Sequence, residues 1–475
     1  SIRSGSTIAI PIAISDATGV ESLDLKLSYD SAVFALPATG SLVTPGSLTP
    51  GAAFVVNDTP PGQVSISWAG STPLSSGTGS IATLNLQVRS DATPGETSVI
   101  DLLNASVNEG RISSEAVDGS ISILPPSFQV QAIRAMPNGI ALALPEAPDM
   151  DAFNLYDGPE DVAVDQPDLN LIGPSGASVA LSAHWQASSK ELLLLAASPL
   201  AAGDYTLAID SRSDGLISAS SGELLDGDGD GTAGDAYSYT FTHAAPETSL
   251  SIADTARGPG QTLGLNGTGT HDPLTGQPLN PGLPILLSTS SSLTALAGSL
   301  TYDQQLLLNG ALLAGSDLPD DWTLSIDPAS AAGELLYSAT GTTAITGTEL
   351  EVLRFQADIA AAGNELYGDS ALIEATATAS SSTADAMAID TDPGLIALAY
   401  AGDTTGNGTL SSLDASRVQR VVVGLDSGFD AYDSINPVLI GDTTGNGTLS
   451  SLDASRIQQQ VVGLEVDSFP DVVDL

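Results

Sequence analysis

The sequence predicts a mainly β chain of tandem antiparallel β-sandwiches that ends in a small α-helical module. Two observations predict this fold class. Short runs in which apolar and polar residues alternate recur along the chain, with clusters of Gly, Pro, Asn and Asp between them. Near the end, the 15 residues GDTTGNGTLSSLDAS occur at 402–416 and again at 441–455, and a helical pattern follows each copy.

The alternating part divides into three sandwich-sized regions. The first, 1–125, contains runs such as STIAIPIAIS (6–15) and ends at a Pro pair. The second, 126–246, carries five further strand-like runs and has the length of an immunoglobulin-like sandwich. The third is 247–398, and the helical module follows at 399–475.

The third region echoes the first. IPIAISDATGVESLDLKLSYD at 10–30 aligns with LPILLSTSSSLTALAGSLTYD at 283–303 without a gap. Such internal similarity indicates one fold used twice.

Composition limits the function of the chain. Its 475 residues include 57 acidic and 12 basic residues, and the formal net charge is −45. This charge repels nucleic acid and anionic membranes and attracts cations. There is no Cys, which excludes disulfides, thiolate metal sites and a thiol nucleophile. We expect a secreted bacterial protein, extracellular or on the cell surface, whose sequence here is a mature or trimmed form.

Each copy of the 15-residue repeat has the spacing of a calcium loop of the EF-hand kind. Calcium binds six to eight oxygens at about 2.3–2.6 Å, and alternate residues of a tight loop supply them around a glycine. The predicted Ca²⁺ ligands are Asp403, Thr405, Asn407, Thr409, Ser411 and Asp414 in the first loop, and Asp442, Thr444, Asn446, Thr448, Ser450 and Asp453 in the second. The alternative is a pair of Asp- and Asn-rich turns that bind no metal.

A third candidate calcium site lies in LLDGDGDGTAGDAYSYTF at 224–241. Three Asp at alternate positions repel one another unless a cation is present. The predicted ligands are Asp226, Asp228, Asp230, Asp235 and the carbonyl of Thr232. The alternative is a solvated acidic hairpin.

No catalytic motif is visible, and we predict that the protein is not an enzyme. His184, His243 and His271 share no metal-ligand spacing, and the sequence has no nucleophile elbow, phosphate-binding loop or basic patch. Counting carboxylates does not exclude a glycosidase pair, but no aromatic cleft pattern supports one.

The first and third regions resemble cohesin domains. The shared features are an apolar strand, then Tyr29–Asp30 or Tyr302–Asp303 with an aliphatic residue after it, and a later strand of the form G-x-L-x-x-L. The resemblance implies jelly-roll sandwiches that act as sockets for dockerins. Cohesins begin with a further strand, for which 248–254 is the candidate in the third region. In the first region it is missing: either this strand was trimmed from the sequence, or the domain borrows a strand from elsewhere, and a strand donated by another chain would cover the open edge.

Residues 402–464 resemble a dockerin, because two calcium loops with Asp at position 12 are each followed by a helix. The resemblance implies a plug for cohesins, as in cellulosome-type scaffolds. It also implies partner contacts at loop positions 10 and 11, which are Ser412, Leu413, Ser451 and Leu452.

A chain with sockets and a plug can bind other copies of itself. We therefore expect a non-enzymatic structural protein that self-assembles by calcium-dependent dockerin-to-cohesin contacts into a filament, sheath or surface layer. One alternative is an adaptor scaffold that binds dockerin-bearing enzymes or anchors. Another is an adhesin that binds polysaccharide. Nucleic acid binding and membrane insertion are not expected.

Overall fold

The computed structural model describes the chain except residues 1, 4, 94, 125–126, 159–165, 266–281, 329, 362–365, 382–383 and 465–475, and the side chains at 384–385. His271 therefore lies outside the described residues. The described part is mainly β-strand, with its α-helices near the C-terminal end, so the predicted fold class is confirmed. The chain divides into two compact units, Ser1–Ser127 and Phe128–Leu475. The second unit holds three of the four predicted regions, and the four-region division stays a prediction.

The first unit is a two-sheet sandwich. One sheet has the order β1-β10-β9-β3-β7-β6, and the other has β2-β8-β4 with β5 also beside β8. The strands are β1 (Ile2–Arg3), β2 (Thr7–Ile14), β3 (Ser22–Tyr29), β4 (Phe34–Ala35), β5 (Val43–Pro45), β6 (Val55–Asn57), β7 (Gln63–Ala69), β8 (Gly79–Val88), β9 (Thr97–Val107) and β10 (Gly119–Leu124).

Alternation along these strands creates the core. Leu23, Leu25 and Leu27 of β3 are buried between the sheets, whereas Asp24 and Lys26 face outward. The short β1 occupies the place of the strand that the sequence suggested was missing, because Ile2 and Arg3 pair in parallel with Ile123 and Leu124.

The second unit begins with a seven-stranded sandwich over residues 132–243. Its sheets have the orders β11-β12-β15-β14 and β13-β16-β17. The strands are β11 (Ala132–Met136), β12 (Gly139–Ala143), β13 (Leu169–Ile172), β14 (Ser182–Gln186), β15 (Glu191–Leu195), β16 (Gly203–Ile209) and β17 (Tyr237–His243). Large apolar side chains such as Phe153, Leu194 and Leu207 fill the space between the sheets.

The second sandwich of this unit has strands β18 (Thr248–Ile252), β19 (Thr255–Ala256), β20 (Leu283–Tyr302), β21 (Leu307–Ala314), β22 (Thr323–Ile326), β23 (Glu334–Ile359), β24 (Ser370–Ser381), β25 (Ala384–Asp392) and β26 (Gly394–Ala397). The long β20 pairs first with the end of β23, and then with the start of β23 and with β24. In the first unit β2 pairs with β8, and β3 pairs with β7 and β9. The strands β2 and β3, which align with the two parts of β20, thus have the same pattern of neighbours as β20. β18 lies between β20 and β25, where the sequence predicts the first strand at 248–254.

The chain then forms α1 (Ser412–Val422), α2 (Pro437–Gly441) and α3 (Ser451–Val461). α1 and α3 pack on each other through Ala415, Val418, Ala454 and Ile457, all of which are buried. This small core continues into Ala397 at the end of β26 and Ala399 just after it. No helix among the described residues has the length and apolar character needed to cross a membrane.

The sandwich core of the first unit gives a direct test of the fold. Leu84 of β8 is fully buried, whereas Leu103 of β9 is 47% exposed. We expect Leu84→Ala to lower the free energy of unfolding by about 2–5 kcal/mol, because it leaves a cavity, and Leu103→Ala to change it by less than about 0.5 kcal/mol. Urea unfolding of the full chain measures both, and equal losses would contradict the sandwich register.

Candidate functional site

The first repeat folds into a tight loop around Asp403. Its fully buried carboxylate accepts hydrogen bonds from the backbone N–H groups of Gly406 at 3.0 Å, Asn407 at 3.3 Å and Gly408 at 2.7 Å. Gly408 has a φ of 77°, in the left-handed region that favours glycine. The repeat therefore needs its glycine at this position for the chain to turn around the carboxylate.

The start of α1 closes this loop. Ser411 is the N-cap, and Asp414 accepts hydrogen bonds from the Ser411 N–H and hydroxyl, both at 2.7 Å. This is a capping box, which fixes the first turn of the helix. The other oxygen of Asp414 accepts from the Thr405 N–H at 2.9 Å, so the carboxylate faces back into the loop.

The second repeat has the same geometry. Asp442 accepts from the N–H groups of Gly445 at 2.8 Å and Gly447 at 2.6 Å. Asp453 accepts from the Ser450 N–H at 2.9 Å and from the Thr444 N–H at 3.0 Å. The conformation is thus a property of the repeated sequence.

The remaining predicted ligands lie on the loop rims. Asn407 accepts from the N–H and hydroxyl of Thr409, at 2.9 and 2.7 Å, and Asn446 accepts from Thr448 at the same distances. The hydroxyl of Thr405 donates to Asp403 at 3.1 Å. Thr405 and Thr444 thus join the two carboxylates of their loops, whereas the Asn and Thr of each rim are exposed and bond to each other.

The charge of the loops fits a cation. Asp403, Asp414, Asp442 and Asp453 are all buried, and within the described part of the chain none of them has an ion pair with a basic side chain. Burial raises the pKa of Asp403, and the nearby charge of Asp414 adds to the effect. Buried carboxylates without a basic partner, in a set made only of oxygens, are suited to Ca²⁺.

A tyrosine of the preceding sandwich also contacts the first loop. The Tyr367 hydroxyl donates to Asp403 Oδ2 at 2.6 Å and accepts from the Tyr400 N–H at 2.9 Å. Sequence reasoning missed this contact, because nothing in the spacing of Tyr367 connects it with a residue 36 positions away.

The acidic loop at 226–235 is also brought together. The carboxylates of Asp226, Asp228, Asp230 and Asp235 each place an oxygen within 4.8 Å of the others. Asp226 is buried and accepts from the N–H groups of two glycines, and the Thr232 N–H donates to Asp230 at 2.7 Å. Burial raises the pKa of Asp235, and the other three carboxylates add to the effect.

The predicted partner-binding residues lie on the surface of the first turns of α1 and α3. Ser412 and Ser451 are exposed, and Leu413 and Leu452 are 56% and 53% exposed. Sequence reasoning missed how far this apolar surface extends. Three further exposed pairs have the same 39-residue spacing: Val422 and Val461, Val423 and Val462, and Leu425 and Leu464.

The segment that links the two repeats holds the module in the second unit. We call 427–436 the anchor segment. The carbonyl of Asp433 accepts from the N–H groups of Leu155 and Tyr156, both at 2.9 Å, and that of Ser434 accepts from the Ala183 N–H at 2.7 Å. Arg420, where the second copy has Gln459, makes a two-point ion pair with Asp426 just before this segment. The anchor segment contacts the sandwich, and the exposed leucines and valines remain on the surface.

The first unit has an open polar face on β3, β6 and β7. A shallow cavity of about 290 Å³ there is lined by Asp24, Lys26, Val55, Asn57 and Asn104, among others. Asp24 accepts a 2.6 Å hydrogen bond from Ser67 across the sheet, and Val55 is largely exposed. This face combines one basic group with polar and apolar groups.

Residues 1–123 match the family model of the cohesin domain. The predicted resemblance of this region to cohesins is confirmed. Cohesin domains are dockerin-binding modules of scaffold type. Cohesins occur in extracellular and cell-surface scaffolds.

Similar solved structures are also cohesins. The sixth cohesin of scaffoldin B from Acetivibrio cellulolyticus, solved in complex with a dockerin, is 19% identical over 26% of this chain and 91% of that chain, with a TM-score of 0.23. A non-cellulosomal cohesin from Archaeoglobus fulgidus is 24% identical over 26% and 78%, with a TM-score of 0.20. The seventh type I cohesin of a Pseudobacteroides cellulosolvens protein is 20% identical over 26% and 88%, with a TM-score of 0.21. No curated protein matches the chain.

The contact between Tyr367 and Asp403 predicts a measurable stability effect. Tyr367→Phe removes a donor to a buried carboxylate, and we expect it to lower the free energy of unfolding of the second unit by about 1–3 kcal/mol. Tyr239→Phe is the matched control, since Tyr239 is 42% exposed. Equal midpoints for the two variants in urea unfolding would show that this hydrogen bond does not stabilise the loop.

Proposed function

We propose that the protein is a secreted, non-enzymatic building block in which the cohesin domain at 1–123 binds the dockerin-like module of another copy. Repeated head-to-tail contact of this kind is heterologous and produces an open filament, sheath or layer. The observation that carries the proposal is the presence, in one chain, of a cohesin domain and of a repeated module with four exposed apolar pairs at a spacing of 39 residues.

The four pairs support two equivalent docking faces on the module. In each set the Leu lies in the first turn of the helix, one Val is its last residue, and the other Val and the second Leu follow it. Leu and Val at 36–71% exposure, repeated at one spacing on a small module, would suit a surface that a partner covers. Either repeat would present Leu413 or Leu452 to the same socket.

Calcium would hold the two loops in their docking shape. Asp403 with Asp414, and Asp442 with Asp453, are the carboxylate ligands, and the other oxygens come from the rim residues of each loop. Residues 402–464 contain seven Asp and three Arg, so two bound Ca²⁺ ions would make this segment formally neutral. Bound calcium would therefore weaken the repulsion between this segment and an acidic partner.

Two further contacts belong to the proposal. The acidic loop at 226–235 would bind a third calcium ion through Asp226, Asp228, Asp230 and Asp235. In the first unit, β1 covers only Ile123 and Leu124 of β10, so a strand from a neighbouring chain would have a free edge along 119–122.

An adaptor scaffold is the second candidate function, and the cohesin domain itself favours it. In that case the socket at 1–123 receives the dockerin of a different protein, such as an enzyme, and the module at 399–475 attaches to a foreign anchor. The two functions differ in whether the purified chain recognises itself.

Calcium binding by the two loops is tested by stoichiometry. We expect Asp403→Asn and Asp442→Asn each to remove one equivalent of bound calcium, because each loses a carboxylate that encloses the ion. Asp320→Asn, at an exposed position, is the control and should bind as many ions as the wild type. Equilibrium dialysis followed by atomic emission gives the count, and unchanged counts in both loop variants would contradict calcium loops.

Self-association is tested by sedimentation velocity on the full chain in calcium and in chelator. We expect calcium-dependent oligomers from the wild type and from Leu308→Asp, an exposed control far from the module in sequence. Leu413→Asp should retain assembly through the second face, whereas Leu413→Asp with Leu452→Asp should abolish it. A wild-type chain that binds calcium but remains monomeric would contradict self-assembly and leave the adaptor function.

A further inference from the structure

A cavity of about 360 Å³ lies inside the second unit, between its two sandwiches and the second repeat. We call it the junction cavity. Four carboxylates line it: Asp254, Glu349, Asp392 and Asp442. No Lys, Arg or His is among its described lining residues. Its surroundings therefore carry negative charge that no basic side chain at the cavity offsets.

Two buried oxygen atoms at this cavity have no hydrogen-bond donor among the described residues. Asp392 is 1% exposed; its Oδ1 accepts from the Asn138 N–H at 3.0 Å, but its Oδ2 has no partner. Asn138 is 5% exposed, and its side-chain Oδ1 also has no partner. Each such orphan acceptor costs about 1–3 kcal/mol, so a pair at one place indicates a missing ligand.

A third oxygen donor lies beside them. Asp254 lines the same cavity and accepts from the Leu395 N–H at 2.7 Å through one oxygen only. The parallel pairing of β18 with β25 places Ser251 opposite Asp392, which brings Asp254 to the same end of the sheet. Burial raises the pKa of Asp254 and of Asp392 to about 7, a measure of the cost of these charges without a counter-ion.

We propose that the junction cavity binds a calcium ion through Asp392 Oδ2, Asn138 Oδ1 and the Asp254 carboxylate. All three donors are hard oxygens, which calcium prefers, and the cavity has room for the water molecules that complete its coordination. Sulfur is absent from the chain's side chains apart from three Met, and no His is among the described residues that line the cavity, which disfavours softer metals.

The ion would join two sandwiches that the chain visits far apart. Asn138 is in the turn between β11 and β12, whereas Asp392 is the last residue of β25, 254 positions later. The site thus acts as a cross-link within the second unit, and it uses no ligand of the two repeated loops. Its role is to fix the platform on which the C-terminal module is held.

The test is the number of calcium ions bound by the full chain, measured by equilibrium dialysis and atomic emission. We expect Asp392→Asn and Asp254→Asn each to lose one equivalent, and the double variant to lose no more than either single one, because both residues serve the same ion. Asp390→Asn is the matched control: it is exposed, lies on the same strand and does not line the cavity.

Calcium counts in Asp392→Asn and Asp254→Asn that equal the wild-type count would overturn the proposal, and the orphan oxygens would then be satisfied by protons or water. Loss of two equivalents in the double variant would also overturn it, since the residues would serve separate ions. If Asp392→Asn does not fold, Asp254→Asn gives the same test at a less buried residue. Asp403 does not line the cavity, and Asp403→Asn loses its loop ion whether or not this site exists, so failure of this site is distinct from failure of the proposed function.

Discussion

The burial of carboxylates without basic partners constrains the C-terminal half of this molecule. Asp403, Asp414, Asp442 and Asp453 are enclosed by the loops that carry them, although removing a carboxylate from water is costly. Backbone N–H groups, aimed inward by glycines with positive φ, compensate part of this cost. We propose that a bound cation offsets the rest, since the repeated sequence supplies the oxygens that a calcium ion would need.

The helical module does not stand alone in the second unit. A small helical module has little core of its own, and here Ala415, Val418, Ala454 and Ile457 share one cluster with alanines of the neighbouring sandwich. The anchor segment at 427–436 fixes the module from the other side through backbone hydrogen bonds. What remains outside this contact is the pair of apolar surfaces at the ends of α1 and α3, which is the part that a partner would need.

Much of this arrangement was predictable from the sequence. Strand alternation located the sheets, because a period of two residues separates core from surface in β3 and β8. The doubled 15 residues predicted both loops and both helices, because helix N-caps and turn glycines are short-range sequence signals. Even the pairing shared by the two similar sandwiches followed from their alignment.

The long-range contacts were not predictable. Tyr367 reaches Asp403 only because the last strands of the sandwich bring them together, and no residue pattern records that approach. The same is true of Asn138 and Asp392, which come from different sandwiches. The continuous β20 also differs from its counterpart in the first unit, where the aligned residues form two strands in separate sheets. Register shifts between Leu287 and Ala295 let the single strand β20 take part in both pairings.

In the function that we propose, calcium orders the repeats and thereby lets this chain bind other copies of itself. The most direct measurement is light scattering of the purified full chain during a calcium titration from chelator to millimolar concentration, followed by electron microscopy of the product. We expect growth into filaments or sheets that chelator reverses. Scattering that stays at the monomer value while the protein takes up calcium would contradict it.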